Sequence, residues 1–292
     1  TYNGQIMALP HISEPGAIGL ALNLNLFRQA GVTPLTFDSS LDDLVAAGQA
    51  ILEETTQFGF ARAYNYYNWV THIRSFGGDF LSPDGKRCVL MDGDQALAAV
   101  QQLYDMVYTW GISPAPTEIE SALSAMFRAG TLGSTTIWPL HASAWPGAVG
   151  FEMGSTMVPR GPEGRGSLLN QHMFSVAMAS KHPELAWEWV KWICSAEFSK
   201  ARALAGSGGP IGMPEVWHDK EILSKYPAWR EWARVMDEVG PNYTPANLRG
   251  QEVDDAFAQG ASAIMTRAVG VEEGLQNMAR EVQKILDKPL AV

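Results

Sequence analysis

The chain has 292 residues, of which 46% are hydrophobic and 18% charged, and it carries a net charge of −10. This length and apolar share describe one large or two medium folded domains with a substantial core, and they exclude a disordered chain. The negative balance argues against nucleic acid or an anionic membrane as partner, and no apolar run approaches the ~20 residues that would span a bilayer.

From the N-terminal side, Gln5–Pro10 reads as a strand from its apolar content and closing proline. His11–Gly16 reads as a polar crossing, followed by the apolar Ala17–Leu22. Asn23–Ala30 is expected to be a short helix stopped by Gly31. Ser39 or Ser40 caps the next helix, whose apolar face is Leu41, Leu44, Val45, Gly48, Ile51 and Leu52. Asp42 and Asp43 in its first turn suit the positive end of the helix dipole better than a catalytic pair. Phe58–Ala61 is a short strand. Ala63–Trp69 then concentrates aromatic rings and amides. Tyr66 and Asn68 either face a ligand or open a buried helix running to Phe76, and Trp69 reads as core. Gly77–Gly85 holds both a Gly-Gly and an Asp-Gly hairpin signal. No lysine-serine pair follows on a helix start, so it is not a phosphate loop.

Asp94–Trp110 is an amphipathic helix with Leu97, Val100, Leu103, Tyr104 and Val107 inward. Ile119–Ala129 is a second helix, closed by Gly130, and Gly133–Ile137 a strand. Trp138–Trp145 is expected to be a surface turn, in which Trp138, His141 and Trp145 surround a proline among small residues. Core packing explains one of those rings but not both, because loops lie at the surface. Gly154–Pro159 is strand-like and 160–166 a flexible turn.

The stretch Gln171–Pro214 reads as strand, turn, helix and glycine loop. Phe174–Ala179 has the length of a buried strand. Ser180–Glu184 starts a helix, with Pro183 and Glu184 suited to its first turn. Leu185, Trp189, Ile193 and Ala196 recur at helical spacing, flanked by Trp187 and Trp192. Residues 206–210 stop the helix. Beyond Pro214, Trp217–Tyr226 and Pro227–Val239 read as surface helices, and 240–247 as a polar loop around Tyr243. Glu252–Ala268 and Val271–Leu286 close the chain as helices, the last with a stripe of Leu275, Met278, Val282 and Ile285.

Ten tryptophans and eight tyrosines exceed what a core needs. Buried helix aromatics account for about half of them, and the remainder are candidates for a stacking surface. Cys88 and Cys194 either form one disulfide in an oxidising compartment or stay as two buried thiols. Without a CxxC or a Cys/His cluster, no structural zinc site is expected.

Several short patterns occur in order. Ser180, Lys181, Pro183, Glu184, Ala186, Trp187, Lys191 and Trp192 follow S-K-x-P-E-x-A-W-x-x-x-K-W. Asn23, Leu26, Phe27, Ala30 and Gly31 follow Y-N-x-x-L-F-x-x-A-G, with Leu22 where tyrosine is usual. Phe37 replaces the tryptophan of a T-W-D-E-L pattern, and the 77–85 hairpin, Phe127–Gly130 and 159–164 match further pieces. On these residues the chain resembles, along essentially its whole length, the extracellular solute-binding proteins of carbohydrate ABC transporters, the maltose-binding-protein-like family.

That resemblance implies an α/β periplasmic-binding-protein fold of type II, two lobes joined by a hinge. Residues 1–10 would be a remnant strand of the first lobe and hinge, 11–170 the second lobe, 171–214 a return into the first lobe, and 215–292 C-terminal helices packing mostly on the second. Tyr2–Pro10 resembles the segment leaving the first lobe, so earlier βαβ units and an export signal would precede Thr1. The first lobe is then expected to be incomplete, and its bare apolar surface to invite self-association. The implied function is a receptor that closes about its hinge on a sugar or oligosaccharide and delivers it to the membrane permease. The implied location is periplasmic or extracellular, with a lipoprotein anchor left open.

Saccharide capture needs aromatic faces for the C–H surface of the ring, and amides or acids for its hydroxyls. The stacking candidates are Tyr66, Trp138, Trp145 and Tyr243. The polar candidates are Glu14, Asn68, His141, Asn170 and Gln171, with backbone groups of Ser207, Gly208 and Gly209. Glu14 reads equally as a solvated loop acid. A phosphorylated polyol would enlist Arg62, Arg74 or Arg249. No catalytic residue, metal or cofactor is expected. Two other readings stay open: a sugar hydrolase, for which two carboxylates are needed but no motif is present, and a truncated fragment that binds nothing.

Overall fold

The computed structural model describes residues 6–14, 18–116, 122–206, 209, 213–239, 242–245 and 249–289. Its centre is β2 (Gly19–Asn23), every residue of which is buried. A strand covered on both faces has no room for alternating polar residues, and GLALN reads accordingly as a nearly continuous apolar run. With β3 (Phe58–Ala61), β4 (Leu132–Ile137) and β5 (Met153–Met157) it forms a four-stranded sheet in the order β3-β4-β2-β5. β2 runs antiparallel to both neighbours, with Leu20 opposite Thr136 and Thr156, while β3 runs parallel to β4.

The helices begin where local chemistry starts them. Asn23 caps α1 (Leu24–Gln29), its side chain accepting the Leu26 N–H at 3.3 Å. α2 (Leu41–Thr55) opens with a reciprocal capping box. The Ser40 hydroxyl accepts the Asp43 N–H at 3.1 Å, and the Asp43 carboxylate accepts the Ser40 N–H at 2.8 Å. Asp43 thus satisfies backbone groups, as a first-turn acid should. Asn65 caps α3 (Tyr66–Ser75), and α4 (Gln95–Tyr108) buries Ala96, Ala99, Val100, Leu103 and Met106. α5 (Leu123–Arg128) is shorter than the expected Ile119–Ala129, whose first residues lie outside the described ones. The expected Trp138–Trp145 turn is instead a short helix, α6 (Pro139–Ala144), because Pro139 sits at the first helical position, where its missing N–H costs nothing.

Two apolar clusters flank the sheet. One joins β2, α2, α3 and α4 to α12 (Gly250–Met265) and α13 (Val271–Leu286), which bury Phe257, Leu275, Met278 and Val282. The other joins the opposite face to α9 (Pro214–Trp217), α10 (Lys220–Lys225) and α11 (Trp229–Val239). These last helices are not surface helices as the sequence suggested. Trp217, Trp229 and Trp232 are fully buried. The Trp229 and Trp217 indole N–H groups donate to Pro139 O at 2.8 Å and Ser13 O at 3.2 Å, so those rings enter without an orphaned donor. Gly19 makes the slot for Trp232: a Cβ there would lie 2.1 Å from the indole.

A thinner unit stands beside this body. β1 (Leu9–Glu14) pairs antiparallel with β6 (Asn170–Phe174), from Leu9 opposite Phe174 to Glu14 opposite Asn170, with a register shift after Pro10. The first strand therefore starts later than Gln5, and His11–Glu14, expected as a crossing, is ladder. β6 likewise precedes the expected Phe174–Ala179 strand, and residues 171–174 are exposed. α7 (Pro183–Ile193) and α8 (Ala196–Leu204) follow. The helical period of α7 is as expected, but Leu185 is 71% and Trp189 58% exposed. Only Val190, Ile193 and Cys194 are covered, against Leu9, Val176 and Phe198. Ala196 packs in part against the second cluster, while Leu185 and Trp189 stay exposed. Cys88 and Cys194 are both free thiols.

Candidate functional site

The N-terminal turn of α3 lines a cavity of about 470 Å³, within the size range of small-molecule sites. Asn65, Tyr66 and Tyr67 form one wall, and Thr244, Gln251 and Asp254 another. A cavity of similar size, about 490 Å³, lies over the 77–96 turn, but no aromatic ring lines it. The Tyr66 ring meets Phe80 and Phe257 edge-on at 5.2 and 5.4 Å, so it is held rigidly from behind. Burial pushes both tyrosine hydroxyls far above their ordinary titration range, so they stay neutral donors.

Tyr67 carries the wall onward. Its ring lies 4.8 Å edge-on from Trp138, which ends β4, and its hydroxyl donates to Leu168 O. Glu14, at the last position of β1, is near enough for its charge to act on the Tyr67 hydroxyl. Asn170 Nδ2 donates to the Glu14 carboxylate at 3.2 Å, and Gly209 approaches both Glu14 and Pro139. Burial pushes the Glu14 carboxyl up to about 7, against the pull of Asn170 and Arg202. Arg202 itself donates to Gly209 O. Glu14, Asn170 and Trp138 are thus neighbours of Tyr67 where the ladder meets the body, and Tyr67 joins them to the cavity that Tyr66 lines. The ladder register explains the juxtaposition: Asn170 is directly opposite Glu14.

The other sequence candidates fall elsewhere. Trp145 is buried, stacked 5.6 Å from Phe127 in the second cluster, where its area packs the core. His141 caps α6, its Nδ1 accepting the Trp138 N–H at 3.3 Å, and stacks 4.6 Å from Trp145. Burial lowers its pKa. Asn68 is buried and donates to Asn65 at 2.9 Å. Gln171 is exposed on β6, opposite Ser13. Tyr243 is exposed beside Thr244, and its carbonyl accepts from Arg74 at 3.3 Å. Ser207 and Gly208 lie outside the described residues. Arg74 is occupied by Asp79 and Ser167 O, Arg249 by Glu252, and Arg62 is buried. None of the three lines the cavity, so nothing there supports a phosphorylated ligand. Sequence reading missed Tyr67, Gln251 and Asp254. Tyr67 was signalled by its neighbour. The other two sit three residues apart on α12, which reads only as helix.

The four-stranded body with its helices and the two-stranded ladder of β1 and β6 beside it make an α/β fold of the type II periplasmic-binding-protein class. The model for bacterial extracellular solute-binding proteins matches residues 8–200, and the chain belongs to that family. Its members are binding proteins rather than enzymes. The fold is similar to that of a cyclic α-maltosyl-1,6-maltose binding protein from Arthrobacter globiformis, at a TM-score of 0.80 and 22% identity, over 98% of this chain and 73% of that one. An ABC substrate-binding protein from Listeria monocytogenes in complex with cycloalternan superposes at a TM-score of 0.85 with 16% identity, over 97% and 72%. A maltose-bound MalE3 of T. maritima gives 0.82 with 23% identity, over 97% and 74%. Among curated proteins no match is found. Among the described residues no helix is long and apolar enough to cross a membrane, and no cluster could hold a metal ion.

Proposed function

We propose that this protein is the sugar receptor of an ABC importer, capturing a sugar, oligosaccharide or polyol against the Tyr66–Tyr67–Trp138 wall and presenting it to a membrane permease. The observation that carries the reading is the position of Tyr67, which lines the cavity with Tyr66, meets the Trp138 ring and feels the charge of Glu14, itself bonded to Asn170. A sugar's C–H face lies on the rings, while Glu14, Asn170, Asn65, Gln251 and Asp254 take hydroxyls, with the Tyr66 hydroxyl as a neutral donor. That solved relatives are in complex with maltose, cycloalternan and ribitol supports a carbohydrate ligand. The family's extracellular character fits a receptor outside the cytoplasmic membrane, either free or held by a lipid anchor.

Titration calorimetry with maltose, cycloalternan and ribitol tests this. One of them is expected to give saturable heat without turnover, and Trp138→Ala to weaken it about tenfold or more, equivalent to about 1.4 kcal/mol. Trp145→Ala is expected to lower stability and leave affinity for the folded protein nearly unchanged. Equal loss of affinity in both variants would place the ligand elsewhere.

We further propose that the bare face of β6 and α7 associates with a second copy. Met173, Phe174, Trp187, Trp189 and Trp192 are exposed there, and β1 and β6 each pair with one strand only among the described residues. Sedimentation velocity showing a monomer at all concentrations would refute it.

A further inference from the structure

A second, smaller cavity lies further along α3, behind the sugar-binding wall. Thr71, His72 and Ser75 close one side, Arg62 another, and the 158–166 turn the third, with Arg165 and Gly166. It shares no lining residue with the larger cavity. Its volume is about 10 Å³, close to what one water-sized occupant needs. The turn sits close because residue 166 is glycine: a Cβ there would lie 1.7 Å from Thr71 O.

The charges in this cavity do not balance. Arg62 and Arg165 are 3% and 7% exposed. No carboxylate lines the cavity. Arg165 donates to the Val158 and Phe37 carbonyls and feels the Glu238 and Glu231 carboxylates. Arg62 has neither kind of help. Its guanidinium faces the Phe60 ring at 5.7 Å, and Tyr64 is the one group whose charge would favour it. Desolvation lowers its pKa only to about 10, so at neutral pH it remains a buried cation. The Nε–H of both arginines is buried without an acceptor. Neither nitrogen of His72 reaches a partner in bonding geometry, and burial holds that ring neutral, with Ala99 and Gln102 its nearest polar neighbours. An unpaired buried charge is among the most costly features a fold can retain.

We propose that this cavity holds one monoatomic anion, chloride in ordinary solution, against the unpaired Arg62 guanidinium, in the space between α3 and the 158–166 turn. Water could satisfy the hydrogen-bond donors but would leave the charge uncompensated. A carboxylate or phosphate would exceed the space. The ion is structural: it ties the 158–166 turn to α3, whose N-terminal end carries Tyr66 and Tyr67.

Thermal unfolding of the whole protein in sodium chloride and in sodium gluconate of equal ionic strength tests the proposal. Chloride is expected to raise Tm saturably by about 2 °C or more, as a ligand of the native state does. Generic salting effects neither saturate at millimolar concentration nor favour chloride over gluconate. Arg62→Met, close in volume, is expected to abolish the difference and to melt no lower than wild type in gluconate. Crystals soaked in sodium bromide are expected to show one anomalous peak in contact with Arg62. Equal Tm in the two salts together with no bromide peak would overturn the proposal and assign the cavity to water. Should Arg62→Met not fold, the wild-type salt comparison and the bromide peak still decide.

Discussion

Two helices of this protein spend their tryptophans in opposite ways. α11 puts Trp229 and Trp232 at full burial, whereas α7 leaves Trp187, Trp189 and Trp192 in water. Both are amphipathic, yet the sequence reads α11 as a surface helix and gives an apolar stripe to α7. The difference lies in what faces them. Trp232 enters a slot that Gly19 leaves in β2, and Trp229 finds Pro139 O for its N–H. α7 covers only Val190 and Ile193 against a two-stranded ladder. Periodicity therefore reports which face of a helix is apolar. Whether that face is covered depends on the elements around it.

The strongest test of this contrast is in the body. Trp232→Ala is expected to cost about 3–5 kcal/mol, since the cavity it leaves is bounded by sheet backbone that cannot collapse. Gly19→Ala attacks the same contact from the other side. Its methyl would stand 2.1 Å from the indole, so the ring or the strand must move, at a cost of about 1–3 kcal/mol or more. Chemical denaturation of both variants checks the claim, and a loss below 1 kcal/mol for Trp232→Ala would show the slot to be loose.

The seam between the two regions gives the next effect. Glu14 has a folded pKa near 7 against 4.5 for the free side chain. Below pH ~4.5 both states bind the proton and Glu14 adds its full contribution to stability. As pH rises through 7 that contribution is lost, because the unfolded chain ionises first. The total is roughly 3 kcal/mol at ~1.4 kcal/mol per pH unit. Glu14→Gln has no such loss. The stability difference, variant minus wild type, should therefore grow between pH 4.5 and 7 and level off above. The same variant should bind sugar more weakly at pH 8, where the carboxylate is the acceptor. A difference independent of pH would mean that Glu14 is solvated.

Much of the fold was legible in the chain. The caps at Asn23, Ser40 and Asn65, the buried run of β2 and the stripes of α4 and α13 are local signals, and they came out where local chemistry puts them. Glu14 and Asn170 stand 156 residues apart, and only the β1–β6 register brings them into contact. The residue types of the candidate site were therefore legible, while the placement of each ring was not. Trp138 and Trp145 share one short segment, yet one faces the seam and the other the core, because a proline-initiated helix turns them onto different sides. The 214–239 helices misled for a related reason. Their tryptophans are spaced by polar residues that favour a surface reading, and the glycine that receives Trp232, Gly19, lies far from it in sequence, near the start of the chain.

Smaller effects separate local from tertiary stabilisation. Ser40→Ala removes the acceptor for the Asp43 N–H and half of the reciprocal pair, at an expected cost of about 1 kcal/mol by chemical denaturation. Trp189→Ala is expected to cost less, within about 0.5–1 kcal/mol, although it deletes a tryptophan as Trp232→Ala does. Its ring is 58% exposed, and its main contact is Trp192 at 5.2 Å. What it should change is solution behaviour: with the apolar face interrupted, sedimentation velocity should show less association than wild type. A large loss of stability at Trp189 would mean that this stripe is covered in solution, and the contrast between α7 and α11 would then be one of partner rather than of burial.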